Sequence, residues 1–147
     1  MKNWIIRSFL FLSFMGVTSC SLNDDQQDCV TGPVGFNVEF IDASTGENLY
    51  RINRFQPSQL RVKDEDNKLV NYRFITQLET IYIQVNLGFE TGEKTITMQL
   101  DEETAVDFEI TLSAIRENCT TYYISKFNVP DYGYDESGSS GIVRVAL

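Results

Sequence analysis

The 147-residue sequence contains no histidine, only one tryptophan and only three prolines. Without histidine, neither a serine–histidine nor a cysteine–histidine nucleophile pair can form, and imidazole-ligated metal sites are excluded. No glycine-rich loop connects a predicted strand to a predicted helix, so no phosphate-binding loop is present. The chain has 21 acidic residues, and no pair among them stands out as the two carboxylates of a glycosidase. We therefore expect no catalytic residue, no cofactor and no enzymatic activity, with a carboxylate-dependent hydrolase as the least favoured alternative.

Basic residues are also scarce, and the formal net charge is −9. Such a charge disfavours nucleic acids and anionic lipid surfaces as partners. Calcium is the metal that oxygen ligands would suit, and Asp64, Asp66 and Asn67 crowd one turn. That turn lacks the glycine and the final glutamate of an EF-hand loop. Because aspartate and asparagine are typical of solvated turns, we predict no metal site there or at 101–103.

The amino-terminal segment has the pattern of a secretory signal. Lys2 and Arg7 carry positive charge, no acidic residue accompanies them, and an apolar run follows over residues 9–17. A membrane-spanning helix needs about 20 apolar residues, so this run is too short to be a retained anchor, which is the alternative interpretation. The pattern predicts a signal peptide over residues 1–19 that is removed from the mature protein.

Val17-Thr18-Ser19-Cys20 resembles the lipobox of bacterial lipoproteins, in which an aliphatic residue and two small residues precede a lipidated cysteine. The resemblance implies cleavage before Cys20 and acylation of that residue, and two or more acyl chains hold a protein stably on a membrane. Residues 20–32 then form a flexible acidic tether, since Asn23–Asp28 has no apolar side chain. The tether also resembles the acidic export tags of surface lipoproteins in Bacteroidota. We expect an outer-membrane location, at the cell surface or on the periplasmic face.

Two cysteines, Cys29 and Cys119, remain beside the lipidation site. An even number of remaining thiols in an exported chain predicts a disulfide. Closing a loop of this length would stabilise the fold by roughly 4 to 5 kcal/mol in the chain-entropy model. Two buried free thiols are the alternative, because the sequence does not give the distance between the two Cα atoms.

Alternation of apolar and polar residues dominates from residue 34 onward and predicts antiparallel strands with one solvated face. In residues 120–129 the parity is broken, so we expect apolar side chains on both faces of that strand. Turn residues separate the runs, and no helical period is visible. Residues 33–147 are therefore predicted to form one all-β domain, an antiparallel, immunoglobulin-like β-sandwich of seven to eight strands, with a small barrel as the alternative. The clearest alternating positions are Val34, Phe36, Val38, Phe40, Ile81, Ile83, Val85, Leu87, Ile96, Met98, Leu100, Val106, Phe108, Ile110 and Leu112.

A family resemblance adds to this prediction. Residues 36–49, with a strand followed by Asp42, Thr45-Gly46-Glu47 and Leu49, resemble the opening strand and turn of transthyretin-like and carboxypeptidase-regulatory-like sandwich domains. Residues 50–59 depart from that pattern. Lipobox, tether, early cysteine and one β domain together resemble the small single-domain lipoproteins of Bacteroidota. This second resemblance implies a location and a fold, and no activity.

The segment 131–141 has no strand pattern and is predicted to be a flexible loop. Tyr132, Tyr134 and Asp135 lie in it and are the candidate ligand contacts, because an exposed tyrosine ring gives contact area at low entropic cost. The alternative is that one tyrosine folds onto the sandwich. We expect a binding or accessory domain for a glycan or a surface protein. A structural or assembly component of a surface complex or fimbria is the alternative, with Ile142–Leu147 as a candidate edge strand.

Overall fold

The computed structural model describes residues 32–78, 80–117, 119–137 and 141–147. These residues contain no helix, which confirms the all-β prediction. The structure describes nine strands where seven to eight were predicted. They are β1 (Val34–Ile41), β2 (Arg61–Asp64), β3 (Tyr72–Gln77), β4 (Thr80–Gly88), β5 (Gly92–Gln99), β6 (Ala105–Arg116), β7 (Thr120–Asn128), β8 (Gly133–Ser137) and β9 (Ile142–Ala146).

The strands form two sheets. The five-stranded sheet has the order β3-β4-β1-β9-β8, and the four-stranded sheet has the order β2-β5-β6-β7. Neighbouring strands are antiparallel except for β1 and β9, which are parallel, with Val38 opposite Val143. The two-sheet, mainly antiparallel arrangement confirms the predicted sandwich.

Alternate residues of each sheet fill the space between the two sheets. Phe108 of β6 is fully buried and lies 5.3 Å from the ring of Phe36 and 6.4 Å from that of Phe40, both on β1. Phe127 of β7 completes the group, 5.9 Å from Phe108. Such tilted and edge-on ring pairs stabilise a core beyond the area that they bury. The inward positions predicted from alternation in β1, β4, β5 and β6 are confirmed, with Ile81 half-buried and the others buried.

A β-bulge explains the broken parity in β7. Thr111 is opposite Lys126 while Leu112 is opposite Ile124, which leaves Ser125 as an extra residue. An extra residue shifts the following side chains to the other face. Ile124 and Phe127 therefore both pack against the core, and Tyr123 is 40% exposed on the outer face. The prediction of apolar cover on both faces is wrong.

The carboxyl-terminal part of the chain corrects two predictions. Gly133–Ser137, placed in a flexible loop by the sequence, forms β8 and pairs with β9. Tyr134 provides the apolar anchor of this strand, because it lies opposite Val145 and its ring is 6.0 Å from that of Phe127. β9 lies between β1 and β8, so Ile142–Leu147 is not an edge strand.

The turn after β1 is built around the carboxylate of Asp42. Its Oδ1 atom accepts hydrogen bonds from the backbone N–H groups of Ser44 and Thr45, each at 2.9 Å, and from the Ser44 hydroxyl. The Ser44 hydroxyl and these backbone donors lower the pKa of Asp42 from 3.8 to about 2. Hydrogen bonds to the ionised form favour that form, so the folded turn holds the carboxylate charged.

We expect the contribution of Asp42 to vanish in acid. A lowered pKa stabilises the fold fully above the unfolded value of 3.8, and this stabilisation is lost as the pH falls toward about 2. Asp42→Asn removes the charge and keeps an oxygen acceptor. The difference in urea midpoint between wild type and Asp42→Asn should be constant above pH 5. It should shrink toward zero as the pH falls from 4 to 2. Asp131→Asn, which also removes one exposed charge, is the matched control. A difference in urea midpoint between wild type and Asp42→Asn that persists at pH 2 would contradict the prediction.

Candidate functional site

The structure divides the predicted ligand contacts between two places. Tyr132 is half-buried against the core, and its hydroxyl lies 3.5 Å from the carbonyl oxygen of Ala105. Tyr134 is 38% exposed and donates its hydroxyl to the carbonyl oxygen of Phe127 at 3.1 Å. Asp135 lies on the opposite, outer face of β8, across from Arg144. The two tyrosines join β8 to the other sheet, while Asp135 faces away from them.

A cleft lies next to the tyrosines, where the open edge of one sheet faces that of the other. Its volume is about 430 Å³, within the range of small-molecule sites. The backbones of Gly35 and Gly141 form part of its wall. We call this space the β7–β8 cleft. Its other lining residues are the apolar Phe36, Ile124, Phe127, Ile142 and Val143 and the polar Ser125, Lys126 and Glu136.

The edges of the β7–β8 cleft are protected against the addition of a further strand. On β7, the bulge at Ser125 interrupts the ladder and is followed by Lys126. On β8, Glu136 lies opposite buried Val143, so a carboxylate occupies an inward position. Bulges, lysines and inward charges are devices by which edge strands avoid pairing with other chains. A ligand in the cleft would therefore contact side chains, with one cation and one anion available beside the apolar residues.

A row of planar polar side chains crosses the outer face of the five-stranded sheet. Arg73 Nε donates to Gln84 Oε1 at 2.6 Å, and Gln84 Nε2 donates to Asn37 Oδ1 at 3.2 Å. Asn37 Nδ2 then donates to the carbonyl oxygen of Gly141 at 3.4 Å. We call Arg73, Gln84 and Asn37 the amide ladder. Gly141 also lines the β7–β8 cleft, on the inner side of the same sheet.

A buried carboxylate holds an arginine beside the amide ladder. Glu39 has a side chain that is only 7% exposed, and Arg144 Nε lies 3.1 Å from its Oε2 atom. Asn48 donates its Nδ2 to Glu39 Oε1 at 3.0 Å and to the carbonyl oxygen of Ile81 at 2.7 Å. Both oxygens of the buried carboxylate are therefore bonded, as a buried charge requires. Arg144, half exposed, is presented on the outer face in a fixed position.

Sequence reasoning did not identify the amide ladder or the Glu39 cluster. In the sequence, Asn37 and Gln84 appear only as members of the polar faces of their strands. Glu39 appears in the same way, between two apolar positions of β1. One signal was available, because the outward residues Asn37 and Gln84 both carry neutral side-chain amides. Bringing these residues together requires the strand order and register, which alternation does not determine.

Tyr50 carries a buried hydroxyl that has no hydrogen-bond partner among the described residues. The side chain is 4% exposed, with its ring 5.0 Å from Phe74 and 6.1 Å from Phe55. Burial, with smaller contributions from Tyr72 and Asp101, raises the pKa of the phenol above its usual value. The phenol is thus kept neutral, and no hydrogen bond from the described residues compensates for its loss of hydration.

We expect Tyr50→Phe to raise the free energy of unfolding by about 1 kcal/mol, because an uncompensated polar group leaves the core. The matched control is Tyr72→Phe, which removes a hydroxyl that donates to the carbonyl oxygen of Leu60 at 3.0 Å. This control should lower the free energy of unfolding by about 1 kcal/mol. Urea denaturation at pH 7 measures both, and a similar loss in the two variants would contradict the prediction.

The acidic turn considered for calcium is bonded internally. Asp64 Oδ1 accepts the backbone N–H groups of Asp66 at 3.0 Å and Lys68 at 2.8 Å, and Lys68 Nζ lies 2.8 Å from Asp66 Oδ2. Within the described part of the chain, no group of three or more acidic or cysteine side chains is placed to hold a metal ion. In the same residues there is no helix with the length and apolar character needed to cross a membrane.

Of the residues in the cysteine predictions, the structure describes Cys119. Cys20 and Cys29 lie outside the described residues, and Cys119 lies just before β7. The lipidation and the disulfide therefore stay predictions. Searches against protein-family models, curated proteins and solved structures find no match for this chain.

Proposed function

We propose that this chain is an exported, lipid-anchored protein whose β-sandwich binds a ligand without catalysis. The β7–β8 cleft is the observation that supports the proposal. It combines five apolar residues with Lys126 and Glu136, and the protected strand edges beside it favour recognition by side chains. The partner is a glycan or a surface protein outside the inner membrane.

Lipid on Cys20 is the proposed anchor. The lipobox resemblance supports it, and the acidic composition of Asn23–Asp28 suits a tether. The small surface lipoproteins of Bacteroidota remain the family that we propose on this basis, with an outer-membrane location. Cys20→Ala should move the protein from the detergent-soluble membrane fraction to the aqueous fraction. Unchanged partitioning would exclude lipid on Cys20 as the anchor.

A Cys29–Cys119 disulfide fits the ends of the described strands. Val34 pairs with Gly88, and Phe89, the next residue, lies 5.9 Å from the ring of Tyr122. The turn between β6 and β7, which contains Cys119, therefore lies at the end of the sandwich where β1 begins. Cys29 precedes Val34 by five residues, which span about 17 Å when extended. Mass spectrometry of the non-reduced, proteolysed mature chain tests the pairing directly.

Blocking the β7–β8 cleft tests the binding proposal. Ser125→Trp places a large ring in the cleft wall. Ser113→Trp is the matched control, because the Ser113 and Ser125 hydroxyls bond to each other at 2.8 Å and Ser113 does not line the cleft. Ligands found by a glycan array or by pull-down from outer-membrane extracts should be lost with Ser125→Trp and kept with Ser113→Trp. Equal retention by both variants would exclude the cleft as the site.

A second candidate function is self-assembly into a surface structure. β3 is an edge strand of the five-stranded sheet, and Leu78 at its end is 96% exposed. An exposed edge without proline or bulge is a template for pairing with another chain. Sedimentation velocity at high protein concentration should then show association that Ile75→Pro abolishes. A monomer at every concentration would reject this candidate.

A further inference from the structure

β3 differs from the other three edge strands of the two sheets. The edge of β2 is covered by residues 69–70, since Val70 donates its backbone N–H to the carbonyl oxygen of Val62 at 2.9 Å. β7 carries the bulge at Ser125, and β8 has the inward carboxylate of Glu136. β3 contains neither proline nor bulge and pairs with β4 in unbroken register. Among the described strands, β3 is therefore the edge that is open to pairing.

Alternate residues of β3 point unpaired backbone groups away from the sheet. Asn71, just before the strand, accepts the backbone N–H of Asn86 at 3.0 Å. Since hydrogen-bonded pairs alternate along an antiparallel ladder, the odd-numbered residues of β3 bond to β4. The N–H and C=O groups of Tyr72, Phe74 and Thr76 therefore face the open edge, and none of them has a backbone partner among the described residues.

The turn that ends β3 carries an exposed leucine. Leu78 has a φ of 55°, and its side chain is 96% exposed. Asparagine and glycine are the residues that favour a positive φ in a hairpin turn, so leucine at this position is strained as well as hydrated. Before the other end of β3, Leu69 is 74% exposed. Two exposed leucines thus flank the open edge.

From these features we propose that two copies of the chain pair through β3 in an antiparallel arrangement, with Phe74 on the two-fold axis. The proposal rests on the self-assembly given above as the second candidate function. In this register Tyr72 of one copy lies opposite Thr76 of the other, so every outward N–H and C=O group of the three residues is bonded. A shift of two residues would leave one of the three residues on each strand without a partner. The backbone pattern therefore favours the symmetric register.

The symmetric register also brings the exposed leucines together. Counting outward from Phe74 places Leu78 of one copy opposite Val70 of the other and beside Leu69. This contact occurs at both ends of the strand pair because the interface is two-fold symmetric. Removal of these side chains from water favours association, which accounts for a leucine at a turn position that does not favour one.

Charge does not oppose this pairing. Arg73 is the charged residue of β3, and residues 67–78 contain no acidic residue. In the symmetric register Arg73 of one copy lies opposite Ile75 of the other, so like charges do not face each other across the pair. Each arginine keeps its hydrogen bond to Gln84 on the outer face. Two β3 strands therefore pair without burying an unpaired charge.

The pairing ends at two copies. An interface between two β3 strands uses the same surface on both copies and leaves no second open edge. Growth into a filament would need such an edge, and β2, β7 and β8 are covered or protected. Two five-stranded sheets thus become one continuous sheet, and the self-assembly gives a dimer in place of a fimbria.

Sedimentation equilibrium of the mature chain in a density-matched detergent tests the dimer. A single strand pair is a small interface, so the measurement should extend to about 1 mM protein. Thr76→Pro removes a backbone donor that only a partner uses, and proline is tolerated at an edge position whose N–H faces solvent. It should raise the dimer Kd at least about tenfold. Ile75 bonds to β4, so Ile75→Pro also disturbs the sheet, which Thr76→Pro avoids.

Leu78→Asn tests the leucine contact separately from folding. Asparagine suits the positive φ of the turn, so the melting temperature should be kept or raised. The dimer Kd should nevertheless rise about tenfold, because the apolar contact is lost at both ends of the strand pair. Ile52→Asn is the matched control, since Ile52 is 43% exposed and lies outside β3 and its turns. Its dimer Kd should stay within about twofold of the wild-type value.

The failures of the two proposals are distinguishable. A chain that stays monomeric up to about 1 mM would reject both the dimer and the self-assembly on which it rests. Species larger than a dimer would overturn the symmetric pairing and leave self-assembly standing. So would a dimer Kd that Thr76→Pro or Leu78→Asn leaves unchanged. The β7–β8 cleft lies at the opposite edges of the two sheets, so the Ser125→Trp test of ligand binding is independent of all these results.

Discussion

Replacing Phe108 with alanine should lower the free energy of unfolding by about 4 kcal/mol. The side chain is fully buried and contacts the rings of Phe36, Phe40 and Phe127. Truncation removes these contacts between the two sheets and leaves a cavity that rigid strands cannot close. Since a domain of this size is typically stable by about 5 to 15 kcal/mol, the variant would lose roughly a quarter to four-fifths of its stability.

Urea denaturation at pH 7 and 25 °C, followed by circular dichroism, measures the loss. Phe89→Ala is the matched control because Phe89 is 50% exposed and its ring contacts only Tyr122 among the described ring pairs. This control should cost about 1 kcal/mol, within the usual range of single substitutions. Comparable losses in the two variants would show that Phe108 does not join the two sheets as described.

Gly35→Ala should lower the free energy of unfolding by about 3 kcal/mol, a loss second to that of Phe108→Ala. A Cβ atom at this position would lie 2.1 Å from the carbonyl oxygen of Val85 in the adjacent strand β4. That oxygen belongs to the backbone, so β1 and β4 would have to separate. The register also shifts between Val34 and Gly35, and the glycine permits the close approach at this irregularity.

The matched control is Gly133→Ala in β8 of the same sheet, where an added Cβ atom would meet nothing within 4 Å. Its effect on the free energy of unfolding should stay within about 0.5 kcal/mol. Because Gly35 also lines the β7–β8 cleft, Gly35→Ala should weaken ligand binding even in the folded fraction. A stable Gly35→Ala variant with unchanged ligand affinity would contradict both the close approach and the role of the cleft wall.

Local patterns predicted the long strands correctly. β1 and β6 alternate over most of their length, and their inward positions are apolar residues, so hydrophobic burial selects the face. The short strand β8 was missed for a physical reason. Its two inward positions are Tyr134 and Glu136, and a carboxylate at one of them removes the alternation on which the prediction depends.

The candidate site could not be derived in the same way. The β7–β8 cleft requires that the consecutive strands β7 and β8 lie at the edges of two different sheets, and it requires a bulge that resets the face of β7. The amide ladder depends on cross-strand register, because Gln84 meets Asn37 only when β1 and β4 pair as they do. Tyr132 and Tyr134 were predicted as ligand contacts, and in the structure their hydroxyls lie against carbonyl oxygens of the opposite sheet.

The parallel pairing of β1 with β9 has a consequence for the biosynthesis of the protein. Glu39 and Arg144, which bond across this pair, are 105 residues apart, so the centre of the five-stranded sheet unites the two ends of the domain. Contacts at such a separation form late, because the entropy of closing the loop opposes them. The sheet cannot be completed until translation has released the last strand. For the export that we propose, this late completion would keep the chain extended enough to be threaded through a secretion channel before its core forms.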